Sequence, residues 1–462
     1  MATIPAPTRL RPHVVVFPLV AAALATAVAI RLSTTLSAAL LGAAVVGGVA
    51  ALAIRSNPQA WLLGLAATRA TFEGAHVLPV VNVAGNGLSP GDLLTIAFLA
   101  GASWYLMDKL RSGSRFLLAP TVFSGLLFMG IAAFSLVYSP QWGLGARDIL
   151  KFAGAYCAFL VVVVDRPDVR QLRLLLGAIV AGAAIPIAFS FYQLATATAE
   201  VNEFYGWARV QSFFDHPNTY GFYLVVILAA VWALHQEVSG RERLLTTCVA
   251  LAAFGSLAFT LSRNSYAALA ILVLVVGWRQ RRVLVAAAFG VGAVVLSSPQ
   301  VVARTLQFFS PVEQSQRNSL VSRLSIWEHG TTLWESNPLL GLGWGATSVS
   351  VGKNSHNDYL RSLIEGGVIG LIIYIALVAA LVRLGWRASR GRSDGPRALL
   401  GLAIAYAVVS LASNTLGKGV FQFHFWLVAG ILYVWGRTIP PSVPLETGGA
   451  GRPRARAAPQ VT

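Results

Sequence analysis

Asn354-Ser355-His356-Asn357-Asp358-Tyr359-Leu360 continues through Glu365-Gly366-Gly367-Val368-Ile369-Gly370 into an apolar run that begins at Leu371. Ser355, with Asp358 three residues later, reads as a capping box, so a helix is expected to start here, with His356 in its first turn. The helical period then places Leu360, Leu363, Gly367 and Gly370 on the same face as His356. The glycines leave that face open to a neighbouring helix or a lipid chain. A helix N-terminus carries partial positive charge, which disfavours imidazolium and attracts anions. Two readings stand side by side: a membrane-interface histidine above GxxxG-type packing, or a neutral histidine base beside a phosphate.

The same passage from water into lipid recurs along the chain. Of 462 residues, 56% are hydrophobic and 11% charged, too apolar a balance for a soluble protein. The expected fold is all-α: a polytopic transmembrane helical bundle of about 12–14 spans, with one large outer-face loop containing an amphipathic helix. It divides into a cytoplasmic tail at 1–13, a bundle of about 11 spans at 14–298 with an outer connector at 196–218, and an outer loop at 299–364 bearing the histidine. Three further spans at 365–436 lead to a disordered cytoplasmic tail at 437–462. Among the spans, 60–78 is interrupted by Arg69, Glu73 and His76, with Arg69 and Glu73 spaced to pair, and another is expected at 398–415.

The net charge of +17 suggests nucleic acid until the positions of the charges are considered. Most basic residues, such as Arg111, Arg115, Arg166, Arg170, Arg279, Arg281, Arg387 and Arg390, fall in alternate connectors, which the positive-inside rule assigns to the cytoplasm together with both termini. The excess therefore records topology, and no nucleic-acid partner is expected. Cys157 and Cys248 lie inside spans, so no disulfide framework is implied. The first span has the look of a signal-peptide core behind Arg9 and Arg11, but a second follows within a few residues and an uncleaved helix is expected.

Function outside the bilayer should lie in the two long outer segments. In the second, Leu320, Leu324, Trp327, Thr331 and Trp334 repeat at helical spacing and stop before Asn337-Pro338, forming the amphipathic helix. Gly341, Gly343 and Gly345 then mark a flexible turn that feeds the His356 helix.

Basic residues are scarce on the outer side, which makes Arg209, before Asp215-His216-Pro217-Asn218, and Arg263, in Leu261-Ser262-Arg263-Asn264, informative. Each is either a headgroup anchor or a ligand for an anion, and a guanidinium fork suits a diphosphate. His216 precedes a proline and either anchors that turn or assists at the site. Glu365, near the lipid boundary, is able to accept a hydrogen bond from a neighbouring helix. Glu313, Glu328 and Glu335 show no paired-carboxylate spacing. Neither a Cys/His cluster nor HExxH nor a DxD-like pair occurs on this side, so no metal is expected at the site, and no cofactor.

Arg323-Leu324-Ser325-Ile326-Trp327, Asn337-Pro338-Leu339-Leu340-Gly341-Leu342-Gly343-Trp344-Gly345, Ser355-His356-Asn357-Asp358-Tyr359-Leu360 and Glu365-Gly366-Gly367-Val368-Ile369-Gly370 together resemble the O-antigen ligase and polymerase family. The family's ligase motif is His-Asn, nine residues, then Gly-x-x-Gly, and His356-Asn357 followed by Gly367-Val368-Ile369-Gly370 fits it. The resemblance is sharp over 205–270 and 318–375.

It implies a multi-pass glycosyltransferase of the bacterial cytoplasmic membrane. The donor would be a polyprenyl-diphosphate-linked glycan, for instance on undecaprenyl diphosphate, and the acceptor a hydroxyl of a glycan or glycolipid, reached at the outer face beside the lipid bilayer. His356 would be the general base, with Arg209 and Arg263 on the diphosphate and Asn357, Glu365 and His216 in support. Ligase and polymerase differ in acceptor and stay open at this point. The rival from another class is a lipid-linked-glycan flippase or other secondary transporter, which internal repeats and mid-membrane charges would favour.

Overall fold

The computed structural model describes residues 48, 50–73, 81–83, 86–88, 90–113, 119–202, 207–297, 319–347, 355–391 and 394–438. The first expected span, most of the second and most of the polar loop before Ser319 lie outside them. Helical residues 50–56 lead into α1 (Pro58–Thr68), α2 (Pro90–Arg111), α3 (Pro120–Ser135), α4 (Trp142–Asp165) and α5 (Val169–Ala195). Then come α6 (Pro217–His235), α7 (Gly240–Phe259), α8 (Arg263–Gly277), α9 (Arg281–Ser297) and α10 (Ser319–Glu335). The chain closes with α11 (Asp358–Ser389), α12 (Arg397–Val409) and α13 (Gly419–Thr438). Two three-residue antiparallel hairpins ornament the connectors: β1 (Val81–Val83) with β2 (Asn86–Leu88), and β3 (Glu200–Asn202) with β4 (Trp207–Arg209). The molecule is a polytopic helical bundle. Among the described residues, α2, α5, α6, α7, α11 and α13 are long and apolar enough to cross a membrane, while α3, α8 and α12 are shorter apolar helices.

Proline starts several helices, at Pro58, Pro120 and Pro217, where its missing N–H costs nothing and its fixed φ suits the first turn. The span expected at 60–78 stops at Thr68; beyond it Arg69 and Glu73 form the anticipated pair at 3.1 Å. The core is aromatic where α4 meets α13, with Trp426 edge-on to Phe152, Tyr156 and Phe159.

The connectors segregate into two ends, as alternating spans require. At one end Arg55 pairs with Asp108, Arg173 with Glu237, and Asp394 receives both Arg397 and Gln280. At the other lie Asp92 with Arg147, Asp148 with Arg361, and Asp215 with Lys418. His356, Arg209 and Arg263 belong to this second end.

Three expectations are corrected here. Gly367 takes φ 64° and ψ −166°, which breaks α11 into two segments, so the stripe from His356 to Gly370 is no single helical face. The glycines admit a loop instead of a helix or lipid: Val368 N–H donates to Pro338 O at 2.9 Å, Leu342 N–H to Ile364 O at 2.8 Å and Gly343 N–H to Glu365 O at 3.0 Å. The stretch around Gly341, Gly343 and Gly345 is consequently no flexible turn. It is buried and wedged between α11 and the α3–α4 connector, and a Cβ on Gly341 would stand 2.5 Å from Gly367 N.

The span expected at 398–415 also overruns, because α12 ends at Val409 and residues 410–418 form a polar connector. α10 ends before Asn337 as expected, but Leu324 and Thr331 face outward. Ile326 and Gly330 face the protein, with Gly330 against Ile364 of α11.

Candidate functional site

Three connectors and the start of α11 meet at the second end. The one before α6 is fastened from below: Ser212 N–H donates to Gln193 Oε1 at 2.9 Å, and Ser212 Oγ to the carbonyl of Pro186, inside α5, at 2.7 Å. This places Arg209, at the end of β4, against the α7–α8 turn. Its Nε donates to Thr260 O at 2.9 Å and Nη2 to Asn218 Oδ1 at 2.9 Å. The guanidinium is half-buried and oriented by two fixed acceptors. Arg263 opens α8 three residues beyond Thr260, behind the Ser262 cap.

His216 is the N-cap of α6, with Nδ1 accepting from Asn218 N–H at 3.0 Å. That bond leaves the proton of the neutral ring on Nε2. The residue is exposed at the surface, but surrounding protein and the charges of Arg209, Lys418 and His356 push its pKa down to about 4, against the opposing effect of Asp215. The same interactions show that His216, Arg209 and His356 share one electrostatic neighbourhood.

His356 does not lie in the first turn of α11, and Ser355 is not its cap. Asn357 is the N-cap, its Oδ1 accepting from Tyr359 N–H and Leu360 N–H, each at 3.0 Å. His356 precedes it in the left-handed region, with φ 50°, unusual for a residue other than glycine and worth attention at a functional site. Its neighbours hold it there. Ser355 O accepts from Trp327 Nε1 of α10 at 2.8 Å, and Ser355 Oγ donates to Asn414 Oδ1 at 3.1 Å. Asp358 N–H donates to Ser410 O at 2.8 Å, and its carboxylate accepts from Thr415 N–H at 2.8 Å and Thr415 Oγ1 at 2.5 Å.

The 410–418 connector thus clamps the start of α11. It also takes Asn264 Nδ2 of α8 on Ala412 O at 2.9 Å, and sends Lys418 Nζ to Asp215 Oδ2 at 2.6 Å.

Glu365 stays out of this cluster. It is buried, accepting from Arg361 Nε at 2.9 Å and Thr347 N–H at 3.1 Å, while Arg361 Nη2 reaches Asp148 Oδ2 at 2.7 Å. A carboxylate so enclosed fixes the α11 break and the 337–347 loop. Asn357 likewise serves the helix start. Arg361, Asp148, Asp215 and Lys418 were not singled out from sequence. The Arg361–Glu365 spacing of four was legible, as were the charges at the head of α4.

No curated protein matches the chain. Residues 248–375 match the family model described as O-Antigen ligase, a stretch that contains Arg263, α10, His356 and Glu365, with Arg209, His216 and Lys418 flanking it. Over those residues the chain is similar to the O-antigen ligase family, which supports the resemblance read from its sequence.

Proposed function

We propose that the chain is a metal-independent glycosyltransferase of the O-antigen ligase or polymerase type. It transfers a polyprenyl-diphosphate-linked saccharide to an acceptor hydroxyl at the outer face of the cytoplasmic membrane. The observation that carries the reading is His356, held in a left-handed conformation at the mouth of α11, in the same neighbourhood as Arg209 and His216.

His356 accepts the proton of the acceptor hydroxyl. The oxygen so freed bonds to the anomeric carbon, and the bond from that carbon to the diphosphate oxygen breaks. Arg209 and Arg263 bind the diphosphate and stabilise the negative charge it gains on leaving. The departing anion offsets the charge of the imidazolium that forms. Asn357 supports the base by capping the helix behind it. His216, with its proton on Nε2, is suited to donate to a phosphate or sugar oxygen.

The test is reconstitution. Purified protein, a lipid-linked glycan donor and candidate acceptors, either lipid A–core or a second lipid-linked glycan, should yield glycosylated acceptor and free polyprenyl diphosphate in equal amounts. A transporter would move intact donor across a liposome membrane and break no bond. The two acceptors also separate ligase from polymerase.

A further inference from the structure

Lys418 ends the 410–418 connector and opens α13, its carbonyl accepting from Gln422 N–H at 2.9 Å. Its ammonium lies 2.6 Å from Asp215, the residue before the cap of α6. The positive ends of two helices, α6 and α13, therefore flank this ion pair. Lys418 and Arg209 both act on His216, and so share its surroundings. The backbone beneath Lys418 is rigid, since its connector is tied to α11 through Thr415 and Asp358 and to α8 through Asn264. Its four-carbon stem is free to swing. The Lys418 and Asp215 side chains are 28% and 41% exposed, so water and a soluble or lipid-linked anion can reach the pair.

We propose that Lys418 is a further ligand for the donor's diphosphate, held by Asp215 while the site is empty and passed to the phosphate oxygens when the donor arrives. This rests on the reading of the site as a diphosphate site. A diphosphate linking a sugar to a polyprenyl chain carries two negative charges, and its leaving group gains a third when the glycosidic bond breaks. Arg209 and Arg263 supply two cations, and Lys418 is the third. A mobile point charge adds to the two guanidinium forks, each of which binds two oxygens at once, as the charge on the diphosphate grows. Asp215 keeps the ammonium from straying towards His356, where it would depress the base.

The test measures binding of farnesyl diphosphate and farnesyl monophosphate to the purified full-length protein. Lys418→Met should weaken diphosphate binding about tenfold, roughly one charge-assisted hydrogen bond, and monophosphate binding much less. Lys418→Arg should restore most of the loss. Asp215→Asn, which frees the lysine, should leave diphosphate binding unchanged or tighter.

A pair that only ties two connectors together would behave differently. Lys418→Met and Asp215→Asn would then lower the melting temperature alike and leave binding per folded molecule unaltered, which would overturn the proposal. Arg209→Ala is the control for the underlying reading. If it weakens diphosphate binding and Lys418→Met does not, Lys418 alone is misassigned. If wild-type protein shows no preference for diphosphate, or Arg209→Ala leaves it intact, the diphosphate site itself is wrong and Lys418 falls with it.

Discussion

Arg361 of α11 reaches Asp148 of α4 at 2.7 Å, nine-tenths buried and with its guanidinium over the Trp344 ring. This contact joins the helix that follows the candidate base to the first turns of α4 and to the loop lodged in its break. Removing one partner of a buried pair leaves the other charge unmatched, at about 3–5 kcal/mol. Arg361→Met should therefore lower the detergent melting temperature sharply, because it strands Glu365 as well. Asp148→Asn should cost less, since Asp148 is more exposed and Arg361 keeps Glu365. Equal losses in a thermal unfolding series would contradict that order.

Gly367 is expected to be intolerant. Its backbone lies in a region open essentially to glycine, and a Cβ there would stand 2.1 Å from Leu339 O. Gly367→Ala should cost about 1–3 kcal/mol in strain alone and expel the 338–343 loop. Gly130→Ala on α3, where a Cβ meets nothing within 4 Å, should be neutral. Yield and melting temperature of the two variants decide the matter.

The contrast between these glycines shows what could be read in advance. Apolar runs placed the helices of the described bundle, because lipid demands continuous hydrophobic length whatever the neighbours are. His356 stood out because it lies at the boundary of such a run. The break at Gly367 was hidden, since a periodic reading assumes one unbroken helix and the cause is a loop more than twenty residues upstream in sequence. The cap expected at Ser355 falls at Asn357 for a local reason: both side chains compete for the same amides, and only the backbone settles which wins. Lys418 and Asp215 are some two hundred residues apart, and no spacing rule relates them.

The imidazole of His216 has a pKa near 4, while in the unfolded chain it titrates near 6.5. Between those values the unfolded state binds a proton that the folded state does not, so stability falls as pH drops from 6.5 towards 4. His216 is exposed to water, so the effect should be small. His216→Asn retains a helix cap and removes the titration. Melting temperature plotted against pH should be flatter for the variant in that window. Parallel curves would mean that His216 is not held neutral.

Transfer should survive chelation of divalent cations, since guanidinium groups and Lys418 are proposed to balance the diphosphate. Loss of activity in EDTA, restored by magnesium or manganese, would assign that charge to a metal and to carboxylates of this end.

The most direct measurement compares transfer rate and donor affinity in wild-type protein and His356→Ala at matched melting temperature. A general base contributes about 10²–10⁴-fold, so turnover should fall by that factor while donor binding, assigned to the arginines, largely persists. Retention of more than about a tenth of wild-type turnover per folded molecule would contradict the assignment of His356 as the base.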